Sequence, residues 1–404
     1  MSCSRETRPA HHGSLGCDSH KSPYQPFASL FMKTSSPRIG VFVSYSGNGG
    51  VERMVSNLVR GIIELGIDVD MLLVKARGDY VKEIPSQANV RVLRAGHTLT
   101  SLLELTDYLR RDTPLALLAV KERAIKIASI ARRLAGAGQC RLVGRLGTHL
   151  SEAMRRQNRR RLQVQWRYQS IRWLFRGVDD LIAVSQGVAE DFIRIAGFDD
   201  NRMHVVRNPV ITPELYRRAA VDPADAWLDH ANTPLITGVG RLTLQKDFPA
   251  LIRAFAIVRA RQACRLVILG EGSARKNLQQ LARQLGVDND VHMPGFKDNP
   301  YAYLARSRLF VLSSQWEGSP NALTEAMALG IPVVATDCPS GPRELLNDGC
   351  YGPLVPVGNV QALAQAMAQT LSKPLEPEPL RQAVAEYAMQ NSAKAYLHVL
   401  GVRS

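Results

Sequence analysis

Long apolar runs are missing from this chain: no stretch approaches the roughly 18 uninterrupted apolar residues of a membrane-spanning helix, so none is expected. Cysteine is sparse, and its six positions (Cys3, Cys17, Cys140, Cys264, Cys338, Cys350) include no C-x-x-C pair. That spacing fits neither a disulfide framework nor a zinc site and reads as reduced thiols in a cytoplasmic protein. Acidic residues are outnumbered, 36 Asp+Glu against 51 Lys+Arg, for a formal net charge of +15. What is present is a globular composition, 45% hydrophobic and 22% charged, which excludes wholesale disorder. At roughly 100–200 residues per domain, the length suggests two or three domains.

The charge is unevenly spread. Residues 1–220 carry 34 Lys+Arg against 20 Asp+Glu, a balance of +14, whereas residues 221–404 carry 17 against 16, a balance of +1. Such asymmetry points to an anionic partner, nucleic acid or a membrane surface. The excess peaks at residues 155–176, where Arg155, Arg156, Arg159, Arg160, Arg161, Arg167, Arg172 and Arg176 are interleaved with Trp166, Tyr168, Trp173, Leu174 and Phe175. Basic and aromatic residues at helical spacing suit an interfacial helix on anionic lipid. Aromatics among arginines also suit stacking on nucleic-acid bases.

Residues 1–36 are rich in Ser, His, Pro and Gly and lack the apolar stretch of a secretory signal. They read as a disordered tail, with Met32 as an alternative start. From residue 37 strand-length apolar runs alternate with helical periodicity. Residues 38–44 predict a strand, the turn Ser46-Gly47-Asn48-Gly49-Gly50 follows, and Val51, Met54, Val55, Leu58 and Ile62 mark a helix closed by Gly66. Further strands are expected over 68–74, 115–120, 140–145 and 181–184. A second series begins after Asn208-Pro209, with strands over 234–239, 265–269, 291–293, 309–312 and 332–335 and helices over 248–260, 278–285 and 321–329. Pro209, Pro213 and Pro223 set the boundary near residues 207–230. The expected domains are 37–210 and 211–378, followed by C-terminal helices over 380–389 and 393–400, within 379–404, that return to the first domain. Strands separated by helices imply parallel sheets covered on both faces.

Chemistry concentrates in the second series. Glu317 and Glu325 stand eight apart around Gly318-Ser319-Pro320-Asn321. Glu317 follows a strand, and a helix starts near Pro320–Asn321, so the loop turns backbone N–H groups toward an anion such as a diphosphate. One turn into that helix, Glu325 is placed to accept hydrogen bonds from ribose hydroxyls, or it is a solvated helix residue. Gly240-Arg241-Leu242 and Lys246-Asp247 flank a strand-to-helix turn. Arg241 and Lys246 there point to the carboxyl edge of the sheet, where ligands bind in such folds, and suit phosphate.

Together these segments resemble the retaining glycosyltransferases of family 4, which have the GT-B fold. Other matching pieces are Ala183-Val184-Ser185, Asn208-Pro209, Gly270-Glu271-Gly272, Pro294-Gly295-Phe296, Ser340-Gly341-Pro342-Arg343-Glu344-Leu345, Asp348-Gly349 and Gly352-Pro353-Leu354-Val355, spread over residues 37–404. The Ser-Gly-Pro-Arg-Glu stretch is similar to that of enzymes of bacterial surface-polysaccharide and lipid-linked glycan assembly.

The resemblance implies two Rossmann-like doubly wound domains, an interdomain cleft, and a C-terminal helix packed back on the first domain. It implies that Arg241 and Lys246 bind the donor diphosphate and stabilise it as it leaves, that Glu325 holds the ribose, and that Glu317 lies near the donor sugar. Gly318, Ser319, Pro320 and Asn321 cradle phosphate, Gly295 and Phe296 meet the base, and Glu271 and Gly272 approach the nucleotide. Gly47, Gly49 and Gly50 form a turn whose backbone, free of side chains, can approach the donor phosphate and the acceptor, although its spacing is not G-x-G-x-x-G. His149, or the nearby Arg145, faces the donor sugar; Arg343 and Glu344 orient the donor or cap a helix.

The implied activity is transfer, with retention, of a hexose or N-acetylhexosamine from a nucleotide sugar, UDP-linked by family frequency with GDP as the alternative, to a lipid-linked or polysaccharide acceptor. No cofactor beyond this co-substrate is expected. No metal is expected either, because two cations and a helix N-terminus already neutralise the diphosphate. The expected place of action is the inner face of the cytoplasmic membrane, reached through the surface of residues 155–176 and without nucleic acid. A soluble acceptor, sugar-nucleotide epimerisation and non-catalytic nucleotide-sugar binding are the alternative readings.

Overall fold

The computed structural model describes residues 37–46, 49–156, 161–229 and 233–402, which belong to one compact unit. Residues 1–36, Gly47 and the arginines at 159 and 160 lie outside the described residues.

The first sheet contains β1 (Arg38–Ser46), β2 (Asp68–Arg77), β3 (Asn89–Val92), β4 (Ala116–Val120), β5 (Arg141–Leu146), β6 (Asp180–Ala183) and β7 (Met203–Val205), in the order β3-β2-β1-β4-β5-β6-β7. The second contains β8 (Leu235–Val239), β9 (Arg265–Leu269), β10 (Val291–Gly295), β11 (Leu309–Leu312), β12 (Val333–Thr336) and β13 (Leu354–Val355), in the order β10-β9-β8-β11-β12-β13. All pairings within both sheets are parallel. Parallel sheets are covered on both faces, which is why β4 and β9 are buried along their whole length and read as apolar runs. In β1, Ile39, Val41, Val43 and Tyr45 pack into one layer and Phe42 into the other.

Three strands go unseen in the sequence pattern: β3, β7 and β13. They lie at sheet edges and are short, β3 is largely exposed and β7 is only partly buried, so they carry no apolar run. The C-terminal segment also departs from expectation. Instead of helices over 380–389 and 393–400, the chain forms Pro377–Ala383, a short 3-10 turn Ala385–Tyr387, and Met389–Val399. Ala388 between them is extended and bridges Ile211. The backbone N–H groups of Val210 and Ile211 both donate to Tyr387 O, and Met389 N donates to Ile211 O. The two connections between the sheets thus run side by side as a short two-stranded strap.

The last helix packs against the helix Gly50–Glu64, adding Ala393, Tyr396, Leu397 and Leu400 to the layer beneath β1. Gly61 is the reason the two helices can approach: a Cβ there would stand 2.9 Å from Ala393 Cβ and 3.0 Å from Met389 Cγ. Glycine in a helix interior is otherwise unfavourable by about 1 kcal/mol relative to alanine. The substitution Gly61→Leu is expected to force these helices apart and destabilise the fold by about 1–3 kcal/mol. Urea unfolding of the variant checks this; an unchanged midpoint would contradict the close packing.

Candidate active site

In each sheet the strand order reverses once, between β1 and β4 and between β8 and β11. Loops leaving adjacent strands diverge at such a point and leave a crevice outside their carboxyl ends. The loop after β8 holds Arg241 and Lys246, and the loop after β11 holds Glu317 and leads into the helix Asn321–Ala328.

These two loops are tied to each other. Lys246 Nζ donates to Glu317 Oε1 at 2.6 Å, and the Ser314 hydroxyl donates to the same oxygen at 2.6 Å. The Ser313 hydroxyl donates to Lys246 O, Gln245 Nε2 to Trp316 O, and Gln315 N to Gln245 O. Glu317 is buried and Lys246 mostly so. Arg241, by contrast, is exposed and pairs with no carboxylate among the described residues. The crevice therefore presents one unpaired guanidinium beside one ammonium whose carboxylate partner is fixed.

The ends of β9 and β10 close in on the same loop. Leu242 N donates to Glu271 O, and Gly270 N to Gly295 O. A Cβ on Gly272 would stand 2.4 Å from Leu242 O, and one on Gly295 would stand 2.7 Å from Glu271 Oε1. Glu271 itself is half exposed and pairs with Arg275. Phe296 meets the Tyr80 ring of the first domain edge-on, with centroids 6.2 Å apart.

The first domain presses onto the 318–321 loop. A Cβ on Gly318 would lie 2.2 Å from Gly147 O and 3.1 Å from Thr148 N, so only glycine admits this contact. Asn321 Nδ2 donates to Gly50 O at 3.4 Å, Asn208 Nδ2 to Asn321 Oδ1 at 2.8 Å, and Arg145 Nη2 to Asn208 Oδ1 at 2.8 Å. Ser319 Oγ is buried without a hydrogen-bond partner, and Pro320 precedes the first helical residue. Gly49 caps the helix Gly50–Glu64, and a Cβ there would stand 2.6 Å from Glu52 Oε2. Glu52 is buried and pairs with Lys121.

Glu325 is not a solvated helix residue. It is 5% exposed, and its Oε1 accepts from Arg53 Nη1 at 3.0 Å and from the Tyr301 hydroxyl at 3.5 Å. Burial pushes its carboxyl above the ordinary value, and Arg53 opposes that shift. Burial alone would lower the Arg53 pKa, but Tyr301, Glu325 and Tyr80 outweigh it and leave the guanidinium firmly charged.

His149 is held within the first domain: its Nδ1 lies 3.3 Å from Asp191 Oδ2, and Glu152 N approaches the same nitrogen at 3.4 Å. Arg343 pairs with Asp337 and Asp348. Glu344 accepts from Gln186 N and Gly187 N, both at 3.0 Å, and from Arg207 at 2.9 Å. It thus caps a helix of the opposite domain. Two Asp-x-Asp triplets occur, Asp68-Val69-Asp70 and Asp288-Asn289-Asp290. In one, Asp70 is bound by Asn89 and Tyr108; in the other, Asp290 pairs with Arg259. Both lie away from the two loops of the crevice, and no group of three or more His, Cys, Asp or Glu suited to a metal is found among the described residues.

Sequence reasoning missed Arg53, Tyr80, Tyr301 and Ser314. The signal for Arg53 was indirect: a carboxylate on an otherwise apolar helix, Ala322 to Ala328, needs a counter-ion when that helix is buried.

Comparison with known proteins agrees with this architecture. The family profile described as Glycosyltransferase Family 4 matches residues 48–213, and the one described as Glycosyl transferases group 1 matches residues 226–391. A relative from Campylobacter jejuni, N-acetylgalactosamine-N,N'-diacetylbacillosaminyl-diphospho-undecaprenol 4-alpha-N-acetylgalactosaminyltransferase, is 30% identical over 89% of this chain and 95% of its own. The lipopolysaccharide core biosynthesis glycosyltransferase LpsE of Rhizobium meliloti is 27% identical over 88% and 97%. The crystal structure of Anabaena HepE in complex with UDP superposes with a TM-score of 0.71 at 21% identity, covering 90% of this chain and 99% of that one. The chain belongs to glycosyltransferase family 4 and has its two-domain GT-B fold.

Proposed function

We propose that the protein transfers a hexose or N-acetylhexosamine from a UDP-sugar to a lipid-linked or polysaccharide acceptor, with retention and without a metal. The observation that carries this reading is the convergence of Arg241, Lys246, Glu317 and the start of the helix Asn321–Ala328 at the switch point of the second sheet. The relatives support the substrate classes: the Campylobacter protein is named for a diphospho-undecaprenol acceptor, and the HepE structure contains UDP.

In this reading the donor diphosphate lies between Arg241, Lys246 and the N–H groups that begin the helix. Positive charge fixed where negative charge grows stabilises the departing diphosphate. Glu317, held by Lys246 and Ser314, accepts from hydroxyls of the donor sugar. Glu325 accepts from the ribose. Gly295, Phe296, Glu271 and Gly272 border the base, and Gly49, Gly50 and Gly318 let backbone close over phosphate. His149 presents its other ring nitrogen toward the donor from the first domain. The acceptor hydroxyl attacks from the face that the diphosphate leaves, a diphosphate oxygen takes its proton, and closure of the domains excludes water.

Recruitment to the acceptor is assigned to the surface of residues 155–176. On the helix Arg161–Leu174, Leu162, Trp166 and Trp173 are 71%, 77% and 60% exposed, and their spacing of four and seven puts them in one stripe. Arg161, Arg172 and Arg176 are exposed beside them. Not all of the stretch takes part: Phe175 is a core residue, and Arg155 and Arg167 are paired with Glu152 and Glu122. Large exposed apolar side chains among arginines that pair with no carboxylate among the described residues match the boundary of an anionic bilayer. No helix among the described residues is long and apolar enough to cross a membrane.

Three measurements test these assignments. A thermal-shift screen of nucleotide sugars is expected to single out one donor; at about 100 times its Kd the ligand adds about 2.7 kcal/mol of stability. With that donor, Lys246→Ala and Glu317→Ala are each expected to lower turnover roughly 10²–10³-fold, and full activity in either would sink the assignment. Separately, the protein is expected to sediment with phosphatidylglycerol vesicles and not with phosphatidylcholine vesicles, and Trp166→Ala with Trp173→Ala to weaken sedimentation. Indifference to lipid charge would overturn the membrane assignment.

A further inference from the structure

The ribose carboxylate of the second domain is bound by an arginine of the first. Arg53 lies in the opening turns of the helix Gly50–Glu64, on the far side of the junction from Glu325. Both terminal nitrogens of its guanidinium are engaged, whereas Nε is buried without a hydrogen-bond partner. Nη1 donates to Glu325 Oε1 and, at 2.9 Å, to the Tyr301 hydroxyl, and Nη2 donates to the Tyr80 hydroxyl. The rings of Tyr80 and Tyr301 lie 4.9 and 5.2 Å from its carbon. Tyr80 comes from the first domain and Tyr301 from the second, so the cage exists only when the domains are together. The cage uses one carboxylate oxygen: Oε2 of Glu325 accepts no hydrogen bond among the described residues.

We propose that Arg53 is a positioning residue for the nucleotide: from the first domain it holds Glu325 Oε1 and so turns Oε2 toward the ribose hydroxyls. This rests on the reading of Glu325 as the ribose ligand. A bidentate approach of both ribose hydroxyls to a carboxylate already engaged at one oxygen would be crowded; a single oriented oxygen is a defined acceptor. The arrangement makes the ribose site a joint product of both domains, so that the closed form binds nucleotide better than the open one. Arg53 also supplies the opposite charge that keeps a buried carboxyl ionised.

The experiment measures the Kd of UDP by calorimetry for the intact protein and its variants across about pH 5 to 8. Arg53→Gln is expected to raise the Kd roughly tenfold, the scale of one lost charged hydrogen bond. Glu325 binds as the carboxylate, so affinity falls as pH drops through its pKa. Apart from Arg53, the groups facing it are Tyr80, Tyr301 and Lys246, and of these only Lys246 is cationic. Without Arg53 that pKa rises, and the acid limb of the binding profile moves to higher pH. Arg53→Lys restores the charge and is expected to move the limb back.

An Arg53→Gln protein that binds UDP as well as or better than the parent, or with an unmoved acid limb, overturns the proposal. Glu325→Gln separates the two levels. Weakened binding in Glu325→Gln with none in Arg53→Gln refutes the role of Arg53 alone; unaltered binding in Glu325→Gln refutes the ribose reading beneath it. If Arg53→Gln does not fold, Tyr80→Phe frees Nη2 while keeping ring and charge. It is expected to raise the Kd by a smaller factor, and an unchanged Kd counts against the cage.

Discussion

The Lys246–Glu317 ion pair is the interaction on which the crevice depends. Its two partners sit on loops that leave neighbouring strands, β8 and β11, at the point where the sheet changes winding direction. Nothing in the strand ladder joins such loops, because each continues to a helix on a different face of the sheet. A mostly buried ammonium and a buried carboxylate supply the tie. Breaking a buried pair by removing one partner is costly, of order 3–5 kcal/mol, because the survivor is left uncompensated. The Ser314 hydroxyl on the same carboxylate oxygen holds the direction in which Glu317 presents its second oxygen. With that pair in place, Arg241 is left exposed at the rim and pairs with no carboxylate among the described residues.

The two domains meet through backbone and short polar side chains more than through an apolar surface. Gly318 lies against Gly147, Asn321 reaches Gly50 O, and Asn208 links Asn321 to Arg145. Glu344 caps the Gln186–Ala196 helix from the opposite side. The connections beside them, 208–212 and 387–389, are paired by backbone hydrogen bonds into a strap. A paired strap resists twisting more than a single linker does.

Much of the fold was legible because buried parallel strands are apolar along their whole length. β1, β4, β9 and β11 each stand out as such a run. β3 and β7 did not, since a strand at the sheet edge needs no apolar code and borrows its order from its neighbour. The break at Ala388 was also invisible: residues 380–389 have helical composition, and only pairing with Ile211, far away in the chain, keeps Ala388 extended. In the site, residue types and spacing marked the two cations and the two carboxylates. Their partners were another matter. Lys246 and Glu317 could be seen as a set, but Arg53 and Glu325 lie 272 residues apart and meet only because two domains fold against each other. Likewise, nothing around His149 in sequence announces Asp191 as the group that holds its ring.

The uneven charge of the chain has a more local meaning than its total suggests. Many first-domain arginines are structural: Arg132 pairs with Asp179, Arg141 with Asp180, Arg167 with Glu122 and Arg194 with Asp191. Paired charges cancel at distances beyond a few ångströms, so they add little to the outer field. Screening at physiological salt, with a Debye length of about 8 Å, removes most of what remains. The field that reaches a partner therefore comes from exposed arginines without carboxylates, such as Arg161 and Arg176 beside the Trp166–Trp173 stripe. The second domain, near neutral over residues 221–404, leaves Arg241 unpaired at its crevice. Exposed cations without a carboxylate among the described residues thus include two groups of different kind: Arg161 and Arg176 beside tryptophan and leucine, and Arg241 at a strand end. The proposed bilayer contact draws on the first group and the proposed diphosphate contact on the second, while Arg132, Arg141, Arg167 and Arg194, each held by a carboxylate, contribute to neither.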